Sequence, residues 1–253
     1  NRAMTTILDR PALSGKRALV TGGSRGIGAA IVRRLAADGA HVTFTYRSAS
    51  RQAESLVEQA GTGQVVALCA DSGDAPGLAA AVGEAAGRMG GLDILINNAG
   101  VFEPGVVQQL SLEAFDRMLA VNVRAVFVAA QAALGHLADG GRIINIGSVN
   151  AERAAGPGFS VYSMTKSALA GLAQGLAHDL GDRRITVNNV LPGPVDTDMN
   201  PEDGPMAAAQ HALMALKRHG RTDEIASLVA YLARDEAGFV TGANLRIDGG
   251  FAA

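Results

Sequence analysis

The chain has a single cysteine, no tryptophan, no long apolar run and no excess of charge of either sign. Cys69 alone cannot close an intrachain disulfide, which fits a reducing compartment. No apolar stretch approaches the roughly 20 residues of a membrane span, and residues 1–15 lack the apolar core of a secretory leader. A cytoplasmic protein without a membrane partner is expected. With 22 basic and 24 acidic residues the net charge is −2, too weak a field to draw in a nucleic acid polymer. Linkers, internal repeats and low-complexity tracts are missing too. What is there is a 48% hydrophobic, 18% charged chain of 253 residues, enough for a large core. One domain over residues 16–253 is expected. Residues 1–15 read as a tail, and residues 1–3, ahead of Met4, as the remnant of a tag.

Seven short aliphatic or β-branched runs recur, at residues 17–21, 41–46, 64–70, 92–97, 142–147, 186–191 and 244–248. Ala- and Leu-rich stretches of helical period lie between most of them, at 27–37, 78–89, 115–137, 161–180 and 223–233. Strands alternating with helices predict right-handed crossovers and a parallel sheet covered on both faces. Several runs lack in-out alternation, as doubly buried strands should. The fold class expected is α/β: one doubly wound domain of seven parallel strands.

The first run enters a glycine turn, Thr21-Gly22-Gly23-Ser24-Arg25-Gly26-Ile27-Gly28. A strand, a glycine turn and a helix start together offer backbone N–H groups to a pyrophosphate. Gly22 allows the turn, Gly26 the approach of phosphate and Gly28 close helix–strand packing. Ser24, Arg25 and Ile27 complete the candidate contacts. The same residues match GxSxG, the nucleophile elbow of a hydrolase using Ser24. Against that rival, the turn follows the first strand, which leaves no earlier strand and loop to build an oxyanion hole, Gly28 serves no purpose in an elbow, and His178, His211 and His219 do not follow strands.

The second run ends at Tyr46-Arg47-Ser48, and residues 39–53 contain no acid. An acid near this point selects a free ribose 2′-hydroxyl, whereas an arginine accepts a 2′-phosphate. Arg47, joined by Arg25, therefore predicts NADP(H) over NAD(H). Asp71 and Ser72 close the third run beside the expected adenine. Asn98, Ala99 and Gly100 close the fourth, small enough for ribose and nicotinamide to approach. Asn122, an amide among Leu119, Val121, Val123 and Val126, either caps a backbone irregularity or marks a kink that frees a carbonyl for water. Residues 141–166 hold an apolar strand, Ser148, a Gly/Pro-rich loop and then Tyr162-Ser163-Met164-Thr165-Lys166. In a helix Tyr162 and Lys166 share one face. No metal site is read from the sequence.

Taken in order, TGGSRGIG, NNAG, Asn122, Ser148, YSMTK, PGPVDT and FVTGANLRIDGG resemble the short-chain dehydrogenase/reductase family over nearly the whole chain. The resemblance implies a catalytic tetrad of Asn122, Ser148, Tyr162 and Lys166, and reduction of a keto group by hydride from NADPH. Tyr162 gives the proton, its pKa lowered by the Lys166 ammonium. Ser148 polarises the carbonyl, and Asn122 anchors a water leading to Lys166. Pro192, Gly193 and Val195 meet the nicotinamide carboxamide and Thr197 the phosphates. Family likeness points to a 3-oxoacyl-thioester reductase and a homotetramer, with residues 198–221 a lid over the small-molecule substrate. The segments IGSVN, PGPVDTDMNPEDGPM and LMALKRHGR also resemble a bacterial subgroup linked to biofilm dispersal and to cyclic di-GMP. That alternative makes the protein a binding regulator, with Arg153, Lys217 and Arg218 meeting phosphates.

Overall fold

The computed structural model describes residues 11–60 and 63–253. Seven strands form one sheet: β1 (Arg17–Val20), β2 (His41–Tyr46), β3 (Val65–Cys69), β4 (Leu92–Asn97), β5 (Leu137–Ile146), β6 (Thr186–Pro192) and β7 (Asn244–Ile247). Their order is β3-β2-β1-β4-β5-β6-β7, every pairing parallel. The strand period of two sends alternate side chains to opposite faces. Ala18, Val20, Ile94, Ile96 and Ile144 join a core with α1 (Gly26–Ala37) and α8 (Thr222–Ala233). Leu19, Leu95, Ile143 and Val187 join a second core with α3 (Ala75–Met89), α5 (Ala125–Ala133) and α6 (Ser160–Asp179). The doubly wound α/β domain is therefore present as expected. Among the described residues no helix is long and apolar enough to cross a membrane.

Local detail departs from the sequence reading in three places. The helical stretch 115–137 is not one helix. It divides into α4 (Leu112–Leu119), a wider π turn (Ala120–Arg124) holding Asn122, and α5, which ends at Ala133. Leu137 instead opens β5, pairing with Leu92 before the register shifts to Arg142 and Ile94. Gly140, at φ 78°, sits in that irregular stretch, where side-chain residues are strained. A helix not anticipated, α2 (Ser50–Ala60), covers β2 and β3. Its buried stripe is only Ala53 and Leu56, too thin to stand out in a polar segment. Of the stretch read as a tail, residues 1–10 lie outside the described residues. Its end packs into the domain, with Leu13 fully buried and its N–H donating to the Asp38 carbonyl at 2.7 Å.

Four asparagines stand in register across β4 to β7, Asn97, Asn145, Asn189 and Asn244. Their amides form a ladder: Asn97 Nδ2 donates to Asn145 Oδ1 at 2.9 Å, and Asn145 Nδ2 to Asn189 Oδ1 at 2.9 Å. Asn189 Nδ2 donates to Asn244 Oδ1 and to the Leu169 carbonyl of α6. Buried amides need such partners, and here they tie the strand ends to the helix that carries the candidate site. Asn145→Ala leaves groups on both neighbours unpaired and should destabilise the fold by about 3 kcal/mol. Urea unfolding at matched m-value checks this, and a loss below about 1 kcal/mol would contradict the ladder's structural role.

Candidate active site

The strand order reverses between β1 and β4, so the connections leaving their carboxyl ends diverge and open a crevice. The sequence's whole set of candidate cofactor residues lines one cleft of about 860 Å³ there, together with Ser148. Of the four catalytic candidates, Asn122 alone does not line the cleft and lies behind its wall.

The glycine turn is built for a flat, charged guest. Gly22 and Gly26 have φ of 65° and 53°, and a Cβ on Gly28 would come within 2.3 Å of the Gly22 carbonyl oxygen. Asn98 holds the turn from the end of β4, its Nδ2 donating to the Thr21 and Gly22 carbonyls at 3.1 and 2.9 Å. The α1 N-terminus opens here with no acid in its first turn, leaving its unpaired N–H groups for an anion. Arg25 and Arg47 are exposed at the cleft and pair with no carboxylate among the described residues. Asp71 is also exposed, its Oδ1 accepting from the Gly73 N–H in a tight turn. The residues present fit a dinucleotide carrying a further phosphate. Among the described residues no histidine hydrogen-bonds Ser24; His211 and His219 bond each other and His178 is exposed on α6.

The reacting end follows β5. Gly147 has no room for a side chain, because a Cβ would meet Leu191 at 2.5 Å, and Ser148 leaves the strand extended. Its Oγ accepts from the Asn150 N–H at 3.1 Å and from Asn150 Nδ2 at 3.2 Å. Both lone pairs are thereby used, and the hydroxyl proton is left to donate. Tyr162 stands in the first turn of α6 and Lys166 one turn later. The Lys166 ammonium is buried and donates to the Ile146 carbonyl at 3.0 Å. Gly100 makes room for it, since a Cβ there would stand 3.3 Å from Nζ. Asn122 holds the loop after β4 through Val101, Oδ1 accepting from its N–H and Nδ2 donating to its carbonyl, both at 2.9 Å. Asn122 Nδ2 also donates to Thr165 Oγ1, which in turn donates to the Tyr162 carbonyl.

The electrostatics correct one expectation. Burial pushes the Tyr162 phenol above its ordinary value, and the Ser148 hydroxyl beside it draws it only partly back. Lys166 does not lower the phenol in this state, because burial brings the ammonium itself down to about 8, and it stands 5.8 Å from the Tyr162 ring centre.

Two features were not found from sequence. Asn150 orients Ser148, and an amide two residues after a serine is a local pattern that offered the signal. Phe102 stacks on Phe159 with ring centres 4.9 Å apart and meets Tyr162 edge-on at 5.0 Å, forming an aromatic wall. Nothing in the spacing marks residues from two distant loops as one wall. Residues 198–221 carry only a short helix, α7 (Ala207–Leu213), and place Met199 and Met206 on the cleft.

A Rossmann-type sheet with a phosphate cradle and a serine, tyrosine and buried lysine at its switch point defines a dinucleotide-binding oxidoreductase class. The chain belongs to the short-chain dehydrogenase/reductase family: residues 22–252 match the family model described as enoyl-(acyl-carrier-protein) reductase. It is 47% identical to the cyclic-di-GMP-binding biofilm dispersal mediator protein of Escherichia coli K12, over 96% of this chain and 99% of that one. A short-chain dehydrogenase/reductase from Serratia marcescens BCRC 10948 superposes with TM-score 0.94 at 57% identity, covering 96% of this chain and all of that one. A short-chain dehydrogenase from Burkholderia cenocepacia J2315, solved with NADP, gives TM-score 0.94 at 51% identity over the same shares.

The buried ammonium has a measurable consequence. Between about 8 and the ordinary 10.5 the unfolded chain holds the Lys166 proton that the folded chain lacks, so stability rises with pH across that window. Relative to Lys166→Met, the cofactor-free protein should gain about 2 kcal/mol between pH ~8 and ~9.5, at 1.36 kcal/mol per unit. Denaturant titrations of both proteins test this, and a pH-independent difference would contradict the burial argument.

Proposed function

We propose that the protein is an NADPH-dependent carbonyl reductase that converts a ketone to a secondary alcohol, with 3-oxoacyl thioesters as the reference substrate class. The observation that carries this is the convergence of Ser148, Tyr162 and Lys166 on one cleft beside the glycine cradle. Bound there, NADPH supplies the hydride. Ser148, its lone pairs held by Asn150, donates its hydroxyl to the carbonyl oxygen. Tyr162, kept protonated by burial, is the acid that neutralises the oxygen as negative charge develops. Lys166, brought down to about 8, is poised to return the proton to the phenol and to hold the ribose hydroxyls. The Asn122 side chain is committed to Val101 and Thr165, so the water relay assigned to it uses its main-chain carbonyl in the π turn. Pro192, Gly193 and Val195 meet the carboxamide, and Thr197, facing Gly26, meets the phosphates. The aromatic wall and Met199 and Met206 favour an apolar group beside the carbonyl.

The 47% identity to a cyclic-di-GMP-binding protein supports a second reading, a nucleotide-binding regulator on the same fold. The cations offered for it are partly spent. Arg218 grips Glu224 at 2.7 Å, and Arg153 donates to the Phe251 carbonyl. Assembly into a homotetramer is supported by small exposed residues on α6, Ala168, Gly171 and Gly175, and by exposed Phe127 on α5. Ala125, Ala129 and Ala133 are instead buried within the subunit. A cytoplasmic setting agrees with the single, exposed, unpaired Cys69.

Tyr162→Phe should lower kcat by about 10²-fold or more on any good ketone while NADPH binding persists. NADPH oxidation across a ketone panel, run beside calorimetry with cyclic di-GMP, checks this. Unchanged turnover in the variant overturns the acid assignment, and cyclic-di-GMP binding without any turnover favours the regulator. In the same assay the wild type should prefer NADPH to NADH at least tenfold, and Arg47→Asp should erase that preference. Equal efficiency with both cofactors in the wild type would refute the role given to the arginines.

A further inference from the structure

The stretch between the cleft and α8 holds a side-chain cluster that the reductase reading does not use. Glu202, His211 and His219 come from a loop, from α7 and from the segment after it, yet their ligand atoms all lie within 4.8 Å of one another. His219 is fully buried, an unusual place for an imidazole with no catalytic task. Its Nδ1 faces His211 Nε2 at 2.7 Å, while Glu202 is fixed beside the pair by accepting from the His219 N–H at 3.2 Å. No lysine or arginine pairs with Glu202 among the described residues, and the nearby Arg218 is taken up by Glu224. A second carboxylate, Asp196, accepts from the Glu202 N–H at 3.0 Å and adds negative charge. Behind the pair, Asn200 bonds His219 Nε2 at 3.0 Å and Gln210 at 3.1 Å. As placed, Asn200 Nδ2 donates to Nε2, which puts the proton of the neutral ring on Nδ1 toward His211. Turning over the Asn200 and Gln210 amides lets Asn200 Oδ1 accept from Nε2–H and the otherwise unpartnered Gln210 Oε1 accept from Asn200 Nδ2. It is this arrangement, with a lone pair on Nδ1, that metal binding selects.

We propose that Glu202, His211 and His219 form a binding site for a zinc-class divalent transition metal that clamps residues 198–221. Two neutral imidazoles and one carboxylate are a donor set for Zn²⁺, with a further position left to solvent, and a poor one for Mg²⁺ or Ca²⁺, which take oxygen ligands. Binding asks the two ring nitrogens to part from 2.7 Å to roughly 3.3 Å, so that each reaches its ~2.0–2.1 Å bond length. His211 can supply that movement, because it is half-buried on a short helix. The clamp also reaches the cleft, since Asn200 and Gln210 both line it. Metal binding therefore stiffens one wall of the cleft without touching the reacting groups.

The test is calorimetric titration of the chelator-treated whole protein with Zn²⁺, beside Glu202→Gln and His211→Asn variants and with limited proteolysis as a second readout. Glu202 is exposed, so its variant should fold normally. One Zn²⁺ per chain, affinity reduced more than about tenfold in each variant, and slower cleavage within residues 198–221 are expected. Absence of saturable binding, or wild-type affinity in either variant, overturns the site and leaves the histidines as a hydrogen-bonded pair.

Discussion

A buried ammonium is the constraint on which the working end of this molecule turns. Lys166 is housed away from water with the Ile146 carbonyl accepting from it and with Gly100 leaving space beside its head. That single requirement fixes the distance between the end of β5 and the first turns of α6. It thereby sets Tyr162 opposite Ser148. The cost of burial is expressed in the chemistry, since an ammonium drawn down to about 8 exchanges its proton readily at physiological pH.

Positioning of that order needs a stiff support. The asparagine ladder supplies it, joining β4, β5, β6 and β7 side chain to side chain and bonding to the backbone of α6 at Leu169. On the other side of the crevice, Asn98 braces the glycine turn and Asn122 braces the loop after β4. Fixed amides thus flank a cleft in which the glycines of the turn lie beside polar, charged and aromatic side chains. Rigid walls and an open floor suit a large cofactor whose reactive atom must be placed to within a fraction of an ångström. The far side of the cleft differs, because it is bounded by loops, a short helix and an aromatic wall, where shape varies easily without disturbing Ser148, Tyr162 and Lys166.

Much of this was legible in the residues because the relevant signals are local. The glycine turn, Tyr162 and Lys166 one helical turn apart, and the arginine at the end of β2 each declare themselves within a few positions. Alternation of buried runs with helical stretches was sufficient for the parallel sheet. What escaped depends on contacts distant in sequence. Leu137 looks like the end of an Ala-rich helix until β4 is beside it to accept a strand. Asn145 and Asn189 look like polar blemishes in apolar strands until the register aligns them. The phenol's upward shift follows from how deeply its hydroxyl is buried, a quantity no spacing encodes. His211 and His219, eight residues apart in a stretch without regular period, meet only through the fold.

Hydride transfer from this cleft to a carbonyl carbon, as proposed, leaves its mark in the product. Turnover of a ketone panel, 3-oxoacyl thioesters included, with NADPH deuterated at the transferable nicotinamide C4 position would be followed by mass spectrometry and NMR. The expected product is an alcohol carrying one deuterium on the former carbonyl carbon, with its hydroxyl proton drawn from solvent. Stoichiometric NADPH binding with no deuterium reaching any ketone would contradict it.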